Sequence, residues 1–327
     1  MIFIVEPPSS VQLLLTVLYL LMSVARALLA PVMFLSHGAG PAAFIDGKGT
    51  RLHDVDKNSL SAQFLRTVKD LVRSNNDGQD IKSILVVSAH WEESQFQVDY
   101  QVGQTKLLYD YGGFPKETYA PHLTYPAPTD LDLARRVHGL LQQAGLKTKL
   151  EARAEGGFDH GVFIPLKLAY PEADIPIVQV SLNRNLDLAA HIRLGEVLAP
   201  LRSEGVLIIG SGSITHGRGN QQQSEAFTEW IRELLEGTNE NNYEERKQAL
   251  VNAPDTAPYY DISHPRTEHF VPLAVSFGAS KPLREAHTGV EGDAQVVSSK
   301  LVVHRAFHQV AMGSLGLDSF IFTNPAE

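Results

Sequence analysis

Ile81-Lys82-Ser83-Ile84-Leu85-Val86-Val87-Ser88-Ala89-His90-Trp91 is an almost continuous aliphatic and β-branched run that ends on a histidine. Such a run reads as a strand covered on both faces. In open α/β sheets ligands bind beyond the carboxyl ends of the strands, so His90 is offered to a site rather than to the core. The pattern recurs on either side. Pro31 to Ser36 is strand-like and runs into His37-Gly38-Ala39-Gly40-Pro41, and Gly205 to Gly210 runs through Ser211-Gly212-Ser213-Ile214-Thr215 into His216. Ile175 to Leu182 reads as a further core strand, and Phe96 to Val102 alternates as a half-exposed one should.

Helical periods fill the intervals. Asn58 to Ser74, Thr129 or Asp130 to Ala144, Leu186 to Arg202, Ser224 to Glu236 and Asn241 to Val251 are predicted helices. His264-Pro265-Arg266-Thr267-Glu268-His269 opens another helix that runs to about Gly278, and Ala294 to Val303 is a last strand. Strands alternating with helices predict an α/β fold: a central, mostly parallel or mixed sheet flanked by helices, with a metal site at the carboxyl ends of its strands. Neither a repeat nor a linker is visible. We therefore expect one catalytic domain over residues 31–327 behind an apolar extension at 1–30.

Composition narrows the chemistry. An excess of 37 acidic over 28 basic residues, without a basic stripe, argues against a nucleic-acid partner. The chain has no cysteine, which excludes disulfides, thiolate metal sites and a cysteine nucleophile, and fits a cytoplasmic location. Any metal must be held by imidazole and carboxylate, and 13 histidines are available. Val11 to Ala25 is apolar but shorter than the roughly 20 residues that span a bilayer. It also lacks a basic leader. Membrane association is not expected, and a membrane or secretory role for residues 11–25 is the alternative.

His37, His90 and His216 at strand ends, with His269 in a first helical turn, can converge on one edge of the sheet. Three or four convergent imidazoles suit Zn, Fe(II) or Mn. His138 and His191 fall within helices, the first reading as an ordinary surface or boundary histidine and the second as structural. Gly156-Gly157-Phe158-Asp159-His160-Gly161 is a glycine-bounded loop, and Tyr109 to Pro128 a long aromatic one that reads as the wall of a cleft. The small residues of Gly210-Ser211-Gly212 would let a substrate or metal sit close to the strand end.

Taken together, Ser36-His37-Gly38, Ser88-Ala89-His90-Trp91, Phe158-Asp159-His160-Gly161 with Pro165-Leu166, Gly210-Ser211-Gly212 followed by Thr215-His216, and Glu268-His269 with Pro272-Leu273 follow one another as do the motifs of a known family. They resemble the DODA (4,5-DOPA dioxygenase-like) type of class III extradiol aromatic ring-opening dioxygenases. Tyr111-Gly112-Gly113-Phe114-Pro115 and Tyr125-Pro126-Ala127-Pro128 match the intervening loop of that family, and the likeness covers roughly residues 31–315. It implies a single α/β domain with one divalent non-haem metal, Fe(II) or Zn(II), bound by His37, His90 and His269. His216 is then a further ligand or an acid–base residue, and His160 the catalytic histidine near the substrate hydroxyls. Trp91, Tyr111 and Tyr125 would pack on the ring.

The implied reaction opens a catechol, DOPA among the candidates, beside its hydroxyls with O2, histidine acting as base and acid near neutral pH. The chain departs from the family twice. His269 stands where related enzymes commonly supply a carboxylate, with Glu268 next to it, and Gly217 follows His216 where an amide residue is frequent. Arg184 and Arg266 are candidates to meet a substrate carboxylate. The competing readings are a zinc-dependent hydrolase on the same histidines, with metal-bound water as nucleophile, and a non-catalytic relative that keeps the cleft for binding.

Overall fold

The computed structural model describes residues 29–103, 105–237, 243–283 and 300–324. The extension expected over residues 1–30, with its apolar segment, lies almost wholly outside them. Among the described residues no helix is long and apolar enough to cross a membrane.

Four parallel strands form the middle of the sheet: β1 (Val32–Ser36), β2 (Ser83–Glu93), β5 (Ile177–Asn183) and β6 (Val206–Gly212). On one side β3 (Phe96–Asp99) pairs antiparallel with β5 and carries β4 (Thr148–Glu151) at the edge. On the other side β11 (Ser319–Thr323) and β8 (Val302–Phe307) add antiparallel strands to β1. The order is β4-β3-β5-β2-β6-β1-β11-β8. A small second sheet joins β7 (Thr215–His216), β10 (Leu315–Gly316) and β9 (Val310–Ala311).

Alternation explains why the central runs are apolar throughout. Val32, Phe34, Leu85, Val87, Val178, Val180 and Ile208 point to one face, covered by the helices Leu131–Gln143, Leu188–Leu198, Gln221–Glu236 and Val271–Ala279. Met33, Leu35, Ile84, Val86, Ile177, Leu207 and Ile209 point to the other, under Leu60–Ser74 and His160–Ala169. A strand buried on both sides has no polar face to show.

Several expectations change. Phe96 to Val102 is not half-exposed: the strand stops at Asp99 and all four residues are buried between β4 and β5. The strand expected over Ala294 to Val303 is Val302–Phe307, with 294–299 outside the described residues, and it is not the last, since β9, β10 and β11 follow it. His264 to Phe270 is a turn, and the helix begins at Val271. Gly156 to Gly161 is a loop only as far as Asp159, because a helix starts at His160. That helix hides from sequence because it carries Pro165 in its interior.

Candidate metal centre

β2 leaves the sheet where its motif lies. Val87 pairs with Val180 and Glu92 with Leu182, so the four residues Ser88–Trp91 stand opposite the single residue Ser181. The arch is a bulge of the kind that re-aims a side chain, and it carries His90 into the crevice. A buried ion pair supports it from below. Asp159 accepts hydrogen bonds from Ser88 Oγ (2.7 Å), Arg153 Nη1 (2.6 Å) and Gln179 Nε2 (2.6 Å), and Arg153 Nη2 donates to the His90 carbonyl (2.8 Å).

The arch, the end of β1, the turn before Val271 and the start of the His160 helix meet at one point. Ligand-capable atoms of His37, His90 and His269 lie within 4.8 Å of one another, as do those of His90, Asp110 and His160, and those of His216, Glu268 and His269. The His160 ring is centred 4.0 Å from that of His90 and 5.3 Å from that of His37.

Hydrogen bonds fix which nitrogen of each ring faces inward. Pro165 has no N–H to give the carbonyl four residues back, and that carbonyl, Gly161 O, instead accepts the Ser211 hydroxyl at 2.5 Å. Ser211 has only one proton to donate, so its contact with His37 Nδ1 (3.0 Å) must be accepted from an Nδ1–H. Nε2 of His37 then bears a lone pair. His269 Nδ1–H donates to Glu268 Oε1 (2.9 Å) and His160 Nδ1–H to Asp110 Oδ1 (2.8 Å), while His90 Nδ1 is 3.5 Å from Asp110 Oδ2. Carboxylate and hydroxyl partners of this kind orient metal-ligating histidines.

The donor set passes the test for a divalent metal. His37 Nε2 and His90 Nε2 are 3.1 Å apart, and two nitrogens bound to one ion at about 2.0–2.1 Å are about 3 Å apart. Burial first, and the neighbouring imidazoles second, hold His37 and His269 well below the usual histidine range and bring His90 down to about 3. Neutral rings with free lone pairs are what ligation requires.

His216 is placed differently. Its ring stacks on that of His269, 3.6 Å between centroids and 11° from parallel. Stacked rings direct their lone pairs side by side rather than to a common point. Tyr111 stands edge-on to His160 at 5.9 Å, its hydroxyl donating to the Thr118 carbonyl. Trp91 and Tyr125 are not brought to the centre. Each is 2% exposed: the Trp91 ring packs under Arg153, and the Tyr125 hydroxyl donates to the Tyr170 carbonyl. Both are corrected from ring-facing to core residues. Alternation along the arch sends Trp91 away from the side that His90 faces.

Neither arginine is free in the same way. Arg266 is joined to Glu92 through both terminal nitrogens, whereas Arg184 gives a single long contact, 3.4 Å, to the Glu92 carbonyl. The glycines of Gly210-Ser211-Gly212 admit the protein's own backbone and not a ligand. A Cβ at Gly210 would lie 2.2 Å from the Pro272 carbonyl oxygen, and one at Gly212 2.1 Å from that of His269. Gly217 is explained likewise, since a Cβ there would meet the Ile262 carbonyl at 1.7 Å. Sequence reasoning missed Asp110, Ser211 and Arg153 as site residues. Asp110 had only its place between Tyr109 and Tyr111 to mark it.

Residues 31–303 match the family model described as the catalytic LigB subunit of aromatic ring-opening dioxygenase. The chain is 40% identical over 246 residues to 4,5-DOPA dioxygenase extradiol of Beta vulgaris, covering 72% of this chain and 86% of that protein. It is 37% identical over 254 residues to the protein of the same name from Portulaca grandiflora, covering 74% and 83%. A crystal structure of an uncharacterized Escherichia coli K12 protein superposes with a TM-score of 0.63 at 26% identity, covering 89% of this chain and 99% of that one. The chain belongs to the LigB family of aromatic ring-opening dioxygenases. It is an extradiol ring-cleaving enzyme that acts on an aromatic substrate with O2 and depends on a metal.

Proposed function

We propose that the substrate is a catechol of the DOPA class, opened beside its hydroxyls at a centre held by His37, His90 and His269, and that the working metal is Fe(II). A bound divalent metal supplies a Lewis-acidic anchor for the catechol oxygens, and Fe(II) adds a redox couple that zinc lacks.

The chain's own residues do the rest. In its neutral form His160, with its Nδ1–H held by Asp110, turns the lone pair of Nε2 to the crevice. It takes the proton of a catechol hydroxyl, and the Asp110 carboxylate stabilises the imidazolium that results. The same Nε2–H returns the proton as the ring opens. His216, stacked on His269 and exposed, serves as a second acid–base group at the mouth and not as a ligand. Tyr111 forms the wall against which the ring lies, and Arg184 is placed to meet a side-chain carboxylate.

The observation that carries this reading is the convergence of His37, His90 and His269 with His160 beside them. The test is oxygen uptake by protein stripped of metal and reloaded anaerobically with Fe(II) or Zn(II), against a panel of catechols with and without a carboxylate. Uptake with Fe(II), a yellow product, and preference for the carboxylate-bearing ring are expected. Tight metal binding without uptake by either form would overturn it.

A further inference from the structure

We propose that Glu92 and Arg266 form a clamp that sets His269 against His90, making both positioning residues for the metal centre. This rests on the reading of His37, His90 and His269 as ligands. The two ligands it joins come from separate elements. His90 rides on the arch of β2, which rejoins β5 at Glu92, whereas His269 sits in the turn before the Val271–Ala279 helix.

Arg266 bridges them. Its Nη1 and Nη2 donate to Oε1 and Oε2 of Glu92, both at 2.5 Å, in the parallel two-bond arrangement that fixes orientation as well as charge. The same Nη1 is 3.5 Å from Glu268 Oε2, and Glu268 Oε1 accepts His269 Nδ1–H at 2.9 Å. The contacts thus run without a gap from the foot of the arch through Glu92, Arg266 and Glu268 to the His269 ring. Glu268 Oε2 is buried and has no hydrogen bond of its own, which leaves Arg266 as the cation that balances it.

Arg266 is 53% exposed while Glu92 and Glu268 are 16% and 15% exposed. An ion pair so open on its cationic side adds little to folding stability. Its geometry, aimed along the line between two ligands, is what the arrangement preserves. By holding Glu268 toward His269 Nδ1, the clamp also keeps that carboxylate hydrogen-bonded to the ligand rather than free to turn toward the metal.

The experiment is a double-mutant cycle of Glu92→Gln and Arg266→Gln read by metal affinity, with Zn(II) and Co(II) titrated against a competing chelator. Co(II) absorption bands and metal-free melting curves are recorded alongside. Loss of a partner that orients a ligand lowers metal affinity by about ten- to a hundred-fold. We expect that loss in each single variant, no further loss in the double variant, altered Co(II) bands, and unmoved metal-free melting. Arg266→Lys keeps the charge but not the two-bond contact and should fall between wild type and Arg266→Gln. Affinity within twofold of wild type, or single losses that multiply in the double variant, would overturn the clamp. His37→Ala separates the two readings. If it abolishes tight binding while Arg266→Gln stays within twofold of wild type, the clamp alone fails, and if wild type binds no better than His37→Ala, the metal centre fails with it.

Discussion

His191 and His264 are buried as deeply as His37 and His269, and desolvation lowers the proton affinity of all four. The pairs differ in what their ring nitrogens meet. His191 spends both on the main chain, Nδ1–H to the Asp187 carbonyl (2.6 Å) and Nε2 to the Asn183 N–H (3.0 Å). His264 donates Nε2–H to the Ile214 carbonyl (2.7 Å) and packs between Phe227 and Phe270. His37 and His269 engage Nδ1 alone and turn a bare Nε2 toward other imidazoles. Burial and a depressed pKa therefore do not mark a site. An unshared nitrogen facing others of its kind does.

The contrast can be broken at its strongest point by His37→Ala. Metal content after dialysis and Fe(II)-dependent oxygen uptake should both fall to baseline while the circular dichroism spectrum is kept. His160→Gln sharpens it: metal content should stay, and kcat should drop by about 10²–10⁴-fold, the range for loss of an acid–base group. Asp110→Asn leaves His160 in place but removes the carboxylate that orients it and faces His90. A fall of about 10–100-fold in kcat or metal affinity is expected in steady-state kinetics and chelator competition.

On the structural side the prediction reverses. His191→Leu leaves the part-buried Asn183 N–H without its partner, at a cost of about 1–3 kcal/mol, while the Asp187 carbonyl still accepts the backbone N–H of residue 191. Urea unfolding should show that loss, with metal affinity and kcat per folded molecule unchanged. The last effect is on pH. Folding keeps His191 neutral down to about 4 and His264 down to about 3, whereas the unfolded rings take a proton near 6.5. The unfolded state thus binds more protons in that window. Stability should be full above pH 6.5 and fall as the pH drops, by at most about 1.4 kcal/mol per pH unit for each histidine. His191→Leu should flatten that slope by one proton, and an unchanged slope would contradict the assignment.

Much of the centre was legible because strand periodicity and a terminal histidine coincide three times, at His37, His90 and His216. That coincidence fixed the strands β1, β2 and β6 and the edge of the sheet at which to look. What periodicity could not say was the direction of side chains where the ladder breaks. Trp91 follows His90 on the strand and alternation, had it been applied, turns it to the opposite side, whereas Tyr125 sits in a loop, without a pleat to count, and could not be assigned a face. Asp110 escaped for the same reason. The short strands β4, β7, β9 and β10 gave no period to register, whereas β3, also short, showed through the alternation that runs on to Val102. Gly212 and Gly217 were noticed, but a glycine does not reveal whether it makes room for a ligand or for a neighbouring carbonyl.

Pro165 gives a last lesson in how far a small defect can reach. It lies a turn inside the helix and touches no metal, but the donor it lacks decides the bonding of Gly161, then of Ser211, and finally the tautomer of His37. The local grammar of a helix is thereby converted into a chemical instruction for a ring on another strand. Pro165→Ala would give the helix back its missing hydrogen bond and, in doing so, place a second donor on the carbonyl that now belongs to the site.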